Sequence, residues 1–405
     1  MDVRIYPSTL LGSTEAVSSR SMAMRYMIAA ALSENKTDIY LKNETEDLSV
    51  VVDCFNNLGA SVRRNGTQYS VYPICLENAS SSVFNVKESL AALRFMIPIL
   101  CALTESGTIQ AEGKLARKPL ADDLSFLKGV RMTESRLPVS FRGKLTVGEY
   151  FLSAETSSQL VGGLLMALPL LDGDSKIIID GKQKKQFEQL MRITIKVMAE
   201  FKVQVEVDGN VYSVKGNQEY RSPEKVHVEG DYASSAYFLS AKAVGCNLQV
   251  TNLLADSIQE EKCILDLIEK LSFNGETVID LDGKTDFTYA LTVASCIKKH
   301  KTVLKNAVGK TDKSKQKAEY FINALIRMGA KIKLDGEDIL IEGTGGFNGG
   351  VMLDANGDAK MAAAFVLSAV AIKEPIILLS ADSASKLHPT FINEFIRMGG
   401  KCTVV

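Results

Sequence analysis

The sequence predicts an α/β protein built from one repeated unit, and three observations carry that expectation. A helical stretch ending in a Gly-like stop, followed by a short β-rich run, recurs six times along the 405 residues. Within a unit the apolar spacing switches from about 3.6 residues to about 2. The composition, 46% apolar and 23% charged, is rich enough for large cores and excludes a disordered chain.

The six stops read NNLGASV from Asn56, SFLKGVRM from Ser125, AEFKVQVEV from Ala199, EKLSFNGETV from Glu269, IRMGAKIKL from Ile326 and IRMGGKCTV from Ile396. Their stop residues, Gly59, Gly129, Lys202, Ser272, Gly329 and Gly399, are spaced by 70, 73, 70, 57 and 70. Glycine suits a helix C-terminus because it takes a positive φ at little cost. In the first unit Met24, Met27, Ile28 and Ala31 mark a helix with Ser18 or Ser19 as N-cap. Residues 38–41 and 60–62 read as strands on either side of a second helix, marked by Leu48, Val51, Val52, Phe55 and Leu58. Ile264, Leu267, Ile268 and Leu271 repeat the helical spacing in the fourth unit. Residues 161–171 and 361–372 are apolar on nearly every side, as helices inside a domain are. From spacing alone, six units fit either one ring or two clusters of three.

Lys plus Arg is 47 and Asp plus Glu is 48, a formal charge of −1, which argues against a globally basic nucleic-acid binder. Seven cysteines, none in a CxxC pair, read as reduced core thiols. Three scattered histidines argue against a His-rich metal site. The opening MDVRIYPSTL lacks an apolar signal core, and the longest apolar runs are too short for a membrane span. A cytoplasmic, monomeric protein is expected, with no metal, no nucleic acid and no membrane partner.

Four helix starts combine free N–H groups with hydroxyls or cations: Ser18-Ser19-Arg20-Ser21, Thr156-Ser157-Ser158-Gln159, Gly230-Asp231 and Gly357-Asp358-Ala359-Lys360. Such starts suit phosphate or carboxylate, although each alone is an ordinary capping site. Arg94 inside LAALRFMIPIL needs a buried partner or a ligand. The run Lys310 to Lys317 fits a solvated face. Asp286 fits either a helix N-cap or a buried base. These residues on their own point to an α/β repeat protein that binds a small polyanion.

Read as whole motifs, the sequence resembles the enolpyruvyl transferases, and within them the clostridial kind acting on shikimate 3-phosphate. SSRSMAMRYMIAAAL is similar to the family's "PSKS…R…AAL" helix, KESLAALRFMIPIL to "ESGT..RFL", and GKLARKPLADDL to "GxLxxRPM..L". The run from Leu137 to Ile179 resembles the "G…SSQ..SALLLAAPL" region. VEGDYASSAYFLSAKAVG resembles the crossing into a second domain, and GDAKMAAAF and SKLHPTFINEF resemble later motifs. The resemblance implies a two-domain inside-out α/β barrel, each domain three βαβαββ units. Residues 14–229 would form one domain and 1–13 plus 230–405 the other, with the active site between them. It implies transfer of enolpyruvyl from phosphoenolpyruvate to the 5-hydroxyl of shikimate 3-phosphate, with release of phosphate (a 1-carboxyvinyl transfer of aromatic amino acid biosynthesis), and it implies that no metal or organic cofactor is required.

Residue by residue, the resemblance assigns Ser21, Arg25, Ser157, Ser158, Gln159, Asp286 and Lys313 to shikimate 3-phosphate, with Asp286 at the reacting hydroxyl. Arg20, Leu90, Arg94, Lys114, Gln159, Lys317, Lys360 and Lys386 fall at phosphoenolpyruvate positions. Arg20, Ser314 and Asp286 fall at catalytic ones. The donor side departs from the family pattern. Lysine replaces arginine at 114, 317 and 360, Arg20 replaces lysine, Leu90 replaces glycine, and Ser314 replaces a glutamate. Lysine cannot form the arginine fork. At roughly 1.5–3 kcal/mol per charge-assisted bond, three weakened contacts cost orders of magnitude in affinity. A serine in place of a general acid costs about 10²–10⁴ in rate. A paralogue that binds without turnover, or a transferase with another donor, are therefore the alternatives.

Overall fold

The computed structural model describes residues 1–120, 124, 126–273 and 275–405. Ala121, Asp122 and Asp123 of GKLARKPLADDL, Ser125 of SFLKGVRM and Asn274 of EKLSFNGETV lie outside them. The chain divides into two compact units, Ser18–Glu229 and Met1–Val17 with Gly230–Val405. Strand Leu11–Glu15 pairs along its whole length with Asn247–Thr251, so residues 14 and 15 lie in the second of these.

One architecture repeats in both. A strand leads through a buried helix to a parallel partner strand, then an amphipathic helix leads to an antiparallel hairpin. Parallel neighbours require such a crossover, whereas the hairpin needs only a tight turn. The third repeat shows it whole. Gly148–Ser153 runs through helix Ser158–Ala167 to Ser175–Asp180, its parallel partner. Helix Lys185–Glu200 then leads to the hairpin Val205–Asp208 and Val211–Val214. The second repeat has the same sheet around helix Leu90–Leu103. In the first, helix Arg20–Leu32 precedes strand Thr37–Tyr40, whose parallel partner is Lys225–His227 from the far end of the unit. Tyr40 and His227 stack there with ring centres 4.6 Å apart.

The other unit has the same sheet around helices Thr288–Ile297 and Asp312–Arg327. In the last sheet, built around helix Ala359–Leu367, the fourth strand is Val3–Tyr6 from the chain start, lying between Ile376–Leu379 and Lys401–Val404.

The fourth repeat departs from the βαβαββ pattern that the resemblance implies for every unit. After helix Ile264–Lys270 no hairpin follows among the described residues, and the β-run Thr277–Asp280 pairs forward with Lys301–Lys305. Its sheet keeps two strands, Leu11–Glu15 and Asn247–Thr251. The short spacing of 57 is this missing hairpin.

The stops behave as capping chemistry requires. At Gly59, Lys202, Gly329 and Gly399 two N–H groups reach back into the last helical turn, as Gly59 to Asn56 O (3.1 Å) and Ala60 to Phe55 O (3.0 Å). Lys202 takes φ +66° without being glycine. Ser272 is not among the positive-φ residues.

The buried helices follow from composition. All residues of Ser158–Ala167 beyond its first two are buried, and all of Ala359–Leu367 beyond its first two. The apolar run after each ends in a short 3-10 turn rather than continuing as α-helix. Gly163 allows helix Ser158–Ala167 to cross helix Leu90–Leu103 closely, since a Cβ there would stand 2.5 Å from the Phe95 carbonyl oxygen. Cys54, Cys101 and Cys296 are core thiols as expected, whereas Cys75 is exposed. No helix among the described residues is long and apolar enough to cross a membrane.

Candidate active site

In the unit Ser18–Glu229 the assigned residues stand mostly at helix starts. Ser19 occupies the N-cap position of helix Arg20–Leu32 without a side-chain bond. Ser18 does not cap; its hydroxyl accepts the Lys42 N–H (3.0 Å) and donates to the Val228 carbonyl (3.4 Å). Arg20 is exposed and Ser21 half-buried. Ser157 caps helix Ser158–Ala167, accepting the Gln159 N–H at 3.3 Å, and Ser157, Ser158 and Gln159 are all half-buried. Free N–H groups at such a start, beside two hydroxyls, suit a phosphate.

Arg25 is turned inward. It is 2% exposed. Its Nε donates to Thr194 Oγ1 (2.6 Å), one terminal nitrogen to the Ser21 carbonyl (2.8 Å) and the other to the Leu190 carbonyl (3.2 Å). The guanidinium lies 5.0 Å from the Phe95 ring centre, a cation–π contact. Burial lowers it to about 9 from 12.5, so it stays charged at neutral pH. Gly162 lets the helices meet there, since its Cβ would lie 3.2 Å from Phe95 and 3.8 Å from Arg25. Thr194 was not identifiable as a partner from sequence. Its only signal is a threonine on the apolar face marked by Met191, Val197 and Met198.

Ser89 caps helix Leu90–Leu103, accepting the Ala92 N–H (3.0 Å) while its hydroxyl donates to Asp47. Leu90, the first helical residue, is half-buried. Arg94, one turn on, is also half-buried; its Nε is buried and unbonded, and no carboxylate pairs with it among the described residues. Exposed Lys114 is held through its backbone, whose N–H donates to Glu88 Oε1 at 3.0 Å. Among the described residues no direct polar contact joins Arg20, Arg94 or Lys114 to another assigned side chain.

In the other unit the assigned residues touch. Asp358 caps helix Ala359–Leu367, accepting the N–H groups of Lys360 (3.1 Å) and Met361 (3.2 Å). Lys317 Nζ pairs with the other Asp358 oxygen at 2.5 Å. Burial pushes the Asp358 carboxyl up, but the Lys317 ammonium and the two N–H groups outweigh it and hold it below its ordinary value. Lys360 Nζ forms an ion pair with Asp286. Lys386 Nζ donates to the Gly357 carbonyl at 3.3 Å. Ser314 and Thr311 share a hydroxyl hydrogen bond of 2.8 Å, and Thr311 caps helix Asp312–Arg327. Lys313 is exposed in that first turn, and the lysine run is solvent-facing as expected except where Lys317 binds Asp358.

Asp286 is neither the N-cap nor the buried base expected. Phe287 holds the cap position of helix Thr288–Ile297. The Asp286 side chain is 53% exposed, in the preceding 3-10 turn, where Lys360 reaches it.

Residues 6–395 match the family described as EPSP synthase (3-phosphoshikimate 1-carboxyvinyltransferase). The 3-phosphoshikimate 1-carboxyvinyltransferase of Brachyspira hyodysenteriae is 30% identical, with 99% of each chain covered. That of Clostridium botulinum (strain Eklund 17B / Type B) is 27% identical, covering 98% of this chain and 97% of the relative. The fold is similar to EPSP synthase from Acinetobacter baumannii, with a TM-score of 0.85, 17% identity and 100% of both chains covered. It is also similar to the enolpyruvyl transferase NikO from Streptomyces tendae, with a TM-score of 0.71, 14% identity and coverage of 99% and 98%. The chain belongs to the EPSP synthase family.

Proposed function

We propose that the protein is a cytoplasmic 3-phosphoshikimate 1-carboxyvinyltransferase, taking shikimate 3-phosphate and phosphoenolpyruvate as small anionic substrates. The observation that carries this reading is the placement of Asp286. Its carboxylate is exposed and held by the ammonium of Lys360, with the Lys317–Asp358 pair on the same helix start. A carboxylate so placed suits removal of the proton from an attacking hydroxyl. The surrounding lysines suit a substrate carrying phosphate and carboxylate.

In this reading the 5-hydroxyl oxygen attacks C2 of phosphoenolpyruvate as the methylene carbon gains a proton, and the tetrahedral adduct then loses phosphate. Arg94, with its unbonded buried Nε, and the N–H groups at the Ser157–Gln159 helix start are assigned to substrate anions. A second reading, a paralogue that binds without turnover, is favoured by Arg25, whose charge is spent on Thr194, Ser21 and Leu190 inside the unit.

The test is phosphate release by purified protein given both substrates. Turnover that falls about 10²–10⁴-fold in Asp286→Asn supports the transferase. No release from a folded sample that binds shikimate 3-phosphate favours the second reading.

A further inference from the structure

We infer that Lys360 is the proton donor to the methylene carbon of the donor substrate, beside Asp286, which takes the proton of the attacking hydroxyl; this rests on the transferase reading above. The reaction needs two proton movements: one off the attacking hydroxyl and one onto carbon. With serine at 314, no carboxylic acid is available there, and the Ser314 hydroxyl is bonded to Thr311. Three lysines stand around the helix start at Asp358, and the structure separates them. Lys317 is committed to Asp358, whose carboxylate caps the helix. Lys386 is bonded to the Gly357 carbonyl. Only Lys360 among the three bonds Asp286.

Lys360 is also the right kind of group. A lysine ammonium gives up a proton within the range that catalysis reaches, and a guanidinium does not. Its Nζ is solvent-accessible, with the side chain 38% exposed, so its protons exchange with water. The steps balance. Asp286 takes the hydroxyl proton as the oxygen bonds to C2, and Lys360 gives a proton to the methylene carbon, making a methyl group. In the second step the methyl group returns a proton to the Lys360 amine, and the C2–O bond to phosphate breaks with its electron pair on the leaving oxygen. The phosphate then takes the proton held on Asp286, and both side chains end as they began.

The experiment compares wild type, Lys360→Arg and Lys360→Gln for phosphate release, shikimate 3-phosphate binding by calorimetry, and deuterium uptake into the vinyl group of the product in D₂O. Arginine keeps the charge and the ion pair with Asp286 but removes the proton donor. Expected results are a loss of about 10²–10⁴-fold in turnover for Lys360→Arg, with binding close to wild type and deuterium uptake seen with wild type. A Lys360→Arg protein that turns over at the wild-type rate while Lys360→Gln does not would show that Lys360 only holds Asp286 by charge, and overturns the inference. Turnover by wild type without deuterium in the product overturns it too. No turnover by wild type overturns the transferase reading, and this one with it.

Discussion

Replacing Thr194 by valine tests how Arg25 is kept inside its unit. The guanidinium is 2% exposed and meets no carboxylate among the described residues, so its charge is supported by hydrogen bonds and the Phe95 ring. The shortest of those bonds runs from Nε to Thr194 Oγ1 at 2.6 Å. Valine keeps the shape of threonine but removes the acceptor, leaving a buried N–H of a charged group unpaired. A hydrogen bond to a charged group contributes about 1.5–3 kcal/mol, and the orphaned donor adds its desolvation. A loss of about 2–3 kcal/mol follows. At roughly 2–4 °C per kcal/mol for a unit of this size, the melting temperature falls by about 4–12 °C. Thr194→Ser is the control, because it keeps the oxygen and loses one methyl group, at about 1 kcal/mol. Differential scanning calorimetry of both variants decides. If Thr194→Val melts with Thr194→Ser, the hydroxyl does not support the buried charge, and the account of Arg25 is wrong.

Two further outcomes are expected. Lys202→Gly stabilises its unit by about 1 kcal/mol, because a lysine at φ +66° carries a left-handed strain that glycine lacks; urea unfolding reads the gain, and a loss would contradict the capping account. Asp358→Asn flattens the acid limb of the stability curve. The folded-state value of Asp358 is depressed, so its contribution is present above the unfolded value of 3.8 and is lost as the pH falls through the lower folded value. Asparagine still caps the helix, so wild type and variant converge in acid, and curves that stay parallel would refute the assignment.

The repeat was legible because its signals are local. A stop at a helix end depends on one residue's backbone freedom, and an all-apolar helix can only be buried. Gly59, Gly329 and Gly399 announced themselves in this way, as did helices Ser158–Ala167 and Ala359–Leu367. The spacing of 57 was visible, but its cause was not. Thr277–Asp280 reads as a strand wherever it pairs, and only the sheet shows that it joins the strand ahead of it.

The assigned polar residues divide along the same line. Motif order placed Asp286, Lys317, Asp358 and Lys360 in one family's pattern, but it could not say which lysine meets which carboxylate. Those pairs join residues 41 and 74 positions apart. Arg25 was assigned to shikimate 3-phosphate by its place in a family motif. Its burial depends on Thr194, 169 residues away, and on two glycines that let three helices close around it. Sequence by itself determined the elements, the repeat and the family, because backbone propensity and apolar period act over a few residues. Tertiary structure alone decided which charges are spent inside the fold and which stand free, because ion pairing and desolvation act through space between segments far apart in the chain.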